Sequence, residues 1–449
     1  MSFVLTKEIF EELVVAIDDQ NEAFIKDTLS NLHPEDISAI MDELDTEQCI
    51  YLFNLLAKPI GAETLSYLDE DVRKEFLENF QPEEIAQWIN HIDSDDAADI
   101  LNELPLKTRE KTIVYLEDEK ANYIVDLLHY DEDIAGGLMA KELIRANINW
   151  TVIRAIEEIR RQAEKVEKIY SLYVVDDQNV LLGRVSLKKI ILSRDNTLIK
   201  DIYEEDIIAV KTYQSENEVA EIMQRYDLEA IPVVNARGEL LGRITIDDIL
   251  DVITEKAELD RQLMSGISED IEEDDSVITL TRARLPWLIV GMVGGLLGAR
   301  FMGLFESQLA LLPALAFFIP LITATGGNVG IQSSSIILQS LANKSSFTSD
   351  NYPSRIFKAL LVAIINGFVI ALIVFGFSFV LDVSIKLAIT VAIALFFVVL
   401  LASIMGTITP LILDKMNINP AVASGPFITT ANDLLGLGVY FTTAHILYN

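Results

Sequence analysis

Apolar residues fall along this chain in two regimes, one periodic and one continuous. In the first, Leu32, Leu44, Leu56, Leu68, Phe80, Ile92, Leu104, Leu116 and Leu128 recur every twelve residues. Many copies continue as an acidic turn and a short apolar helix, as in LHPEDISAIMDEL (32–44), FQPEEIAQWINHI (80–92) and IDSDDAADILNEL (92–104). Pro34 and Pro82 suit the first helical turn, and the acids there complement the helix dipole. Stacked short helices, each burying its neighbour's face, predict an all-α superhelical solenoid over residues 1–130.

A second repeat has an offset of 59 residues: SLYVVDDQNVLLGRVSLKKIIL (171–192) matches AIPVVNARGELLGRITIDDIL (230–250). Each copy reads as strand, turn, strand and helix. The pair resembles two cystathionine-β-synthase-type (CBS) modules, an α/β domain assigned to 131–198 and 199–254. Such pairs usually sense a ligand rather than catalyse. The second copy keeps the Gly242, Thr245 and Asp248 spacing that binds a nucleotide ribose in some CBS modules. The first has Ser186 but Lys189 where the acid would be. Thr245 and Asp248 are thus the candidate nucleotide contacts, with ATP the candidate ligand.

The continuous regime starts near residue 286. Five apolar stretches, near 286–306, 311–341, 357–381, 385–413 and 420–447, approach or exceed the roughly 20 residues a spanning helix needs. They predict an all-α five-helix transmembrane domain over 283–449. TGGNVGIQSSS interrupts the second stretch and predicts a polar break facing a cavity. With the N-terminus inside, Arg282, Arg284, Lys344, Arg355, Lys358 and Lys415 fall on the cytoplasmic side, and the C-terminus lies outside. The N-terminal MSFVLTKEIFEEL is acidic and amphipathic and does not read as a signal peptide. A connecting helix and acidic linker, 255–282, joins the halves; SEDIEEDDS (268–276) puts six acids ahead of the first span.

Charge sharpens the division. Of 69 acids and 35 bases in the chain, residues 1–281 hold 64 and 27, a net −37, while the rest is +3. This argues against nucleic acid and anionic substrates and for cations. Cys49 is the single cysteine, which excludes a disulfide framework and a Cys-based zinc site. His33, His91, His129 and His445 are scattered and read as packing or surface residues. No GxxxxGK[ST] loop supports ATP-driven pumping. Gly291, Gly294, Gly295 and Gly298 include two GxxxG spacings, which favour close helix packing.

Taken in order, DSDDAAD (93–99), EDIAGGLM (132–139), the CBS pair, RLPWL (284–288), GGNVGIQ (326–332) and PAVASGPFITTANDLLG (420–436) resemble the MgtE family of magnesium channels over essentially the whole chain. The resemblance implies a multi-domain, homodimeric, Mg²⁺-selective channel of the inner or plasma membrane. Its cytoplasmic part would sense Mg²⁺ and close the pore when Mg²⁺ is plentiful.

Asp433 supports that reading physically. An ionised acid at membrane depth costs roughly 2.5–3.5 kcal/mol on insertion scales, so it faces a polar path. Thr429 lies four residues earlier on the same helical face. Asn328 and Gln332 supply neighbouring oxygens. Across a two-fold axis, paired Asp433 carboxylates would suit a Mg²⁺ ion that keeps its waters. The alternative for Asp433 is a structural acid paired with Arg300. Candidate regulatory ligands are Asp95 with Asp99, Asp248 with Asp251, Asp227, and Glu255, Glu258 and Asp260 on the connecting helix. Two other functions remain open: an ion-coupled secondary transporter of Mg, Mn, Co or Ni, and a membrane-anchored CBS nucleotide sensor. The polar break and Asp433 argue against a mere anchor.

Overall fold

A computed structural model describes residues 6–163, 169–269, 271, 275–342, 352–416, 418–423 and 425–448. Lys344 of the orientation argument, and Asp270, Glu272, Glu273 and Asp274 of the acidic run, lie outside the described residues. The chain divides into two compact units, residues 1–253 and 254–449.

The first unit opens with short helices: α1 (Lys7–Asp18), α2 (Glu22–Leu29), α3 (Pro34–Asp42), α4 (Thr46–Phe53), α5 (Lys58–Tyr67), α6 (Glu70–Leu77), α7 (Pro82–Ile89), α8 (Ser94–Glu103), α9 (Leu106–Tyr115) and α10 (Asp118–Leu127). Their starts follow the local chemistry. Pro34 and Pro82 are the first residues of α3 and α7, and Asp45 caps α4 by accepting the Gln48 N–H at 2.9 Å. The twelve-residue apolar positions sit in the joints. Leu32, Leu68 and Ile92 each precede a cap residue (His33, Asp69, Asp93), and all three are buried. A side chain that plugs the turn between consecutive helices repeats with the helix-plus-turn unit. That is why the pattern keeps a strict twelve instead of a helical 3.6.

Two three-stranded sheets follow. The first is β1 (Arg145–Asn147), β2 (Leu172–Val175) and β3 (Leu181–Val185), and the second β4 (Val210–Lys211), β5 (Ala230–Val234) and β6 (Leu240–Thr245). In each the first strand pairs parallel and the third antiparallel with the second, as the 59-residue offset implies. Helices α11 (Val152–Gln162) and α12 (Leu187–Leu192) complete the first module, α13 (Glu216–Tyr226) and α14 (Ile246–Ser265) the second. Where α12 has 6 residues, α14 has 20, so the connecting helix is the module's own last helix prolonged.

The core of the helical series continues into the second module: Ala135, Met139, Val210, Met223, Ile231 and Ile244 share one buried cluster with Ile100 and Leu101. The first module has its own core around Val152, Val174 and Ile199. Residues 135–140 make the join. The Ala135 N–H donates to the Gln214 carbonyl (2.8 Å), and Ala140 exchanges two backbone bonds with Arg243 on β6 (2.8 and 2.9 Å).

The second unit contains α15 (Val277–Gly303), α16 (Glu306–Leu311), α17 (Ile319–Ala342), α18 (Tyr352–Val380), α19 (Ile385–Lys415) and α20 (Pro426–Tyr448). Among the described residues, four helical stretches are long and apolar enough to cross a membrane: Val277–Gly303, Pro313–Leu341, Pro353–Val380 and Ile385–Lys415. The last helix, α20, has 23 residues and carries the polar Thr429, Thr430, Asn432 and Asp433. Helix α17 runs unbroken through TGGNVGIQSSS, where a break was expected. The glycines there are contact points. A Cβ on Gly330 would overlap the Asn432 side chain, and one on Gly406 would overlap the Gly330 carbonyl. Small residues let α17, α19 and α20 close up without interrupting the helix. In α15, Gly294 abuts Thr430 and Gly298 lies near Leu434, whereas Gly291 and Gly295 meet no packed atoms.

Candidate functional site

The first unit holds a cleft of about 640 Å³ between the helical series and the second module. Its walls come from α5, α8, the start of α10, residues 140–142, β6 and the first turns of α14. Ten carboxylates line it against two fixed cations, Lys120 and Arg243. Both cations are engaged, Lys120 with Glu142 at 2.8 Å and Arg243 with Asp93 at 3.6 Å. What remains is a concentrated negative field.

Asp95 and Asp248, far apart in sequence, both face this cleft. Asp95 is 8% exposed, and its Oδ1 is buried without a hydrogen-bond partner. Burial pushes its carboxyl well above the usual range, and Asp96, Asp248, Asp93 and Glu142 add repulsion in that order. Asp248 is half-buried. Its Oδ2 accepts the Thr245 N–H (2.9 Å) and Thr245 Oγ1–H (2.8 Å), yet loss of hydration still raises its carboxyl. Asp251 also lines the cleft. Asp99 does not share it. One turn beyond Asp95, it is pushed up to about 7, first by lost hydration and then by Glu132, Asp96 and Glu103.

Seven further cleft acids were not singled out from the sequence, among them Asp93, Asp96, Asp247 and Glu142. Asp96 is pushed up to about 6, first by lost hydration and next by Asp248. The run DSDDAAD pointed to the first two, and Asp247 adjoins Asp248, but nothing local marked Glu142. Glu142 joins the site through long-range bonds from the Ser94 hydroxyl (2.6 Å), the Ser94 N–H (3.1 Å) and Lys120. Burial alone would raise its carboxyl, but Lys120 and Ser94 hold it below its usual value.

Among the described residues no three His, Cys, Asp or Glu side chains converge closely enough to clasp a bare ion. The acids are spread along the cleft walls, an arrangement suited to hydrated cations contacted through water. Thr245 and Asp248 are bonded to each other through Asp248 Oδ2 and open onto an acidic surface.

The other candidates lie elsewhere. Asp227 is exposed at the end of α13, with left-handed backbone at φ 52°. Glu255 and Glu258 are exposed on α14. Asp260 Oδ1 accepts from Asn419 Nδ2 at 2.9 Å, beside the turn into α20. That turn is tight: Gly266 (φ +81°) and Gly425 (φ +56°) face Pro426 and the Met264 carbonyl respectively, and a Cβ on Gly266 would lie 2.6 Å from Pro426 Cγ.

In the second unit, Thr429 and Asp433 pack together over Gly327 of α17. A Cβ at Gly327 would lie 3.2 Å from Thr429 Cγ2 and 3.9 Å from Asp433 Oδ1. Thr429 Oγ1 donates to the Gly425 carbonyl at 2.9 Å. Asp433 is half-buried, and no ion pair with Arg300 forms among the described residues. Beside Gly327, α17 exposes Pro320, Ala324, Asn328, Gln332 and Ile336, one residue per turn. Exposed amides on an otherwise apolar helix are costly against lipid.

Comparison with known proteins agrees with the order of these parts. Residues 319–443 match the family model described as a divalent cation transporter, MgtE; residues 32–133 match the MgtE intracellular N domain, and 133–195 and 199–255 match CBS domains. The magnesium transporter MgtE of Thermus thermophilus is 31% identical over 449 residues, covering 99% of both chains. That of Enterococcus faecalis is 36% identical over 73% of this chain and 72% of its own. Among solved structures, the soluble part of a magnesium transporter superposes with a TM-score of 0.51 at 33% identity, covering 56% of this chain and 99% of that one. The cytosolic domain of the Mg²⁺ channel MgtE in complex with ATP gives 0.51 at 32%, covering 54% and 99%.

Proposed function

The chain belongs to the MgtE family of magnesium transporters, and from that premise we propose that it is a Mg²⁺ channel closed by internal Mg²⁺ acting on its acidic cleft. Its function is Mg²⁺ transport, and its family is one of transporters, not enzymes. The observation that carries the channel reading is the Thr429–Asp433 face of α20 lying over Gly327, beside the exposed Asn328 and Gln332. A second copy of the chain facing this stripe would turn lipid-exposed amides into the wall of a water-filled path and bring two Asp433 carboxylates to one level. A homodimer in the cell membrane is the assembly this supports, and with α20 as a fifth span beside the four long apolar stretches the N-terminus lies inside and the C-terminus outside.

No pump is needed. A divalent ion gains roughly 4.6 kcal/mol on entering across −100 mV, twice the single-charge value. An unregulated path would overload the cell, and the cleft supplies the regulation. At low Mg²⁺ the cleft walls repel each other; bound Mg²⁺ bridges them. A site filled at ten times its dissociation constant, in the closed form only, contributes about 1.4 kcal/mol. Moving a gate from mostly open to mostly closed takes about 5.5 kcal/mol, so roughly four weak sites suffice. Asp95, Asp248 and Asp251 are assigned to them, with Asp99, Asp227, Glu255, Glu258 and Asp260 as outlying acids of the same response. A nucleotide at the CBS pair, as in the relative solved with ATP, would need groups beyond Thr245 and Asp248.

The test is ion flux in proteoliposomes with voltage and ion gradients set independently. A channel carries Mg²⁺ down its electrochemical gradient with no second ion. Flux that requires an opposing or accompanying ion gradient would establish a coupled transporter instead.

A further inference from the structure

The cleft is larger and more drawn out than single hydrated ions require. A Mg²⁺ ion with its six waters displaces about 200 Å³, taking about 30 Å³ per water. The cleft offers about 640 Å³, inside the roughly 300–1,000 Å³ range of sites for organic ligands. Its carboxylates are distributed along facing walls, Asp95 and Asp96 on α8 and Asp248 and Asp251 on α14, and do not gather at one point. Tyr67 and Tyr123 border the same space. Asp95 lines the same space from a side chain more than nine-tenths buried, and its Oδ1 has no hydrogen-bond partner.

We propose that this cleft binds linear polyamines, which act there as surrogates for Mg²⁺ in closing the transporter. The inference rests on the reading of the cleft as the cation sensor and names a second class of regulator for it. Ammonium groups spaced along a methylene chain match acids spaced along a wall. An ammonium donates directly to the carboxylates that line the cleft, Asp95 among them, without the octahedral demand that Mg²⁺ imposes. The methylenes between them lie on tyrosine rings, and the ring faces attract the charges. Lys120 and Arg243 do not oppose the ligand strongly, since Glu142 and Asp93 already neutralise them. A polyamine that spans the cleft ties α8 to α14, as bridging Mg²⁺ would.

The experiment uses the full-length protein in detergent, with divalent ions removed by EDTA and spermidine as the probe. Hydrogen exchange of the α8 amides and flux after reconstitution are read together. Spermidine is expected to slow α8 exchange in EDTA and, after reconstitution, to reduce Mg²⁺ flux from the opposite side while Mg²⁺ on the side of the acidic domain is kept too low to close the path. Asp95→Asn with Asp248→Asn, which relieves crowding and so leaves folding intact, is expected to raise the spermidine concentration needed at least tenfold. Tyr67→Ala is expected to raise it about two- to fivefold more than it raises the Mg²⁺ concentration needed. The inference is overturned if spermidine has no effect where Mg²⁺ protects α8. It is equally overturned if potassium chloride at matched ionic strength reproduces the effect, or if the double variant responds like the native chain. If neither Mg²⁺ nor spermidine protects α8, the sensor reading itself fails, which is a distinct result.

Discussion

Replacing Gly425 by alanine tests the coupling between the connecting helix and the last membrane helix. Gly425 has φ +56°, and a Cβ there would come well under 3.0 Å from the Met264 carbonyl oxygen at the end of α14. Two costs arise, and they act differently. The left-handed backbone costs an alanine about 1–2 kcal/mol, but this falls on open and closed forms alike wherever the turn persists. The clash with Met264 exists only while the end of α14 lies against this turn, an arrangement we assign to the closed form. Overpacking of this kind costs about 1–3 kcal/mol, and backbone atoms on both sides leave little room to yield. Taking about 2 kcal/mol against the docked form, the closing equilibrium shifts about 30-fold toward open. How this appears in a titration depends on the number of Mg²⁺ sites. With roughly four acting together, the Mg²⁺ needed for half-closure rises about 2.3-fold, the fourth root of 30; with a single site it rises the full 30-fold. Flux at saturating internal Mg²⁺ rises in either case. The assay is Mg²⁺ flux in proteoliposomes titrated with Mg²⁺ on the side facing the acidic domain. Gly376→Ala is the control, because a Cβ there meets nothing within 4 Å. Closure of Gly425→Ala at the native Mg²⁺ concentration, or an equal shift in Gly376→Ala, would refute the reasoning.

Asp433→Ala should abolish or strongly reduce Mg²⁺ flux while the protein still elutes at the native size; flux at the native rate removes Asp433 from the path. Lys120→Ala should leave Glu142 charged and poorly compensated in a buried site, at a cost of about 3–5 kcal/mol. For a unit this size that lowers the unfolding temperature by roughly 6–20 °C by calorimetry, and an unchanged temperature would deny the pair its role. In EDTA the acidic unit should be more stable at pH 5.5 than at pH 8. Asp96 and Asp99 hold protons in the fold up to about pH 6 and 7 but release them at the ordinary carboxylate value when unfolded, so stability falls as pH rises through that window. Added Mg²⁺ should abolish the difference, and stability that rises from pH 5.5 to 8 without divalents would contradict the assignment.

The sequence alone determined much of this protein, because several of its features are written locally. The twelve-residue period survives since each unit repeats the same joint, Leu32 before His33 as Ile92 before Asp93. The 59-residue offset survives since each module needs the same alternation of strand, turn and helix. The acid of α20 stood out because a carboxylate among apolar residues is costly wherever they fold. What the sequence could not decide depends on residues meeting across long separations. The glycines of TGGNVGIQ read as a break until α19 and α20 were seen to fill the space their missing side chains leave. Asp95 and Asp99 share a helical spacing, yet only Asp95 faces the cleft, because residues 135–142 pin the second CBS module against one side of α8. Glu142 looked like any surface acid until Ser94 and Lys120 closed on it. Local pattern fixes what a segment becomes, whereas burial and charge at a site are sums over neighbours brought from elsewhere in the chain, and only the folded structure supplies those neighbours.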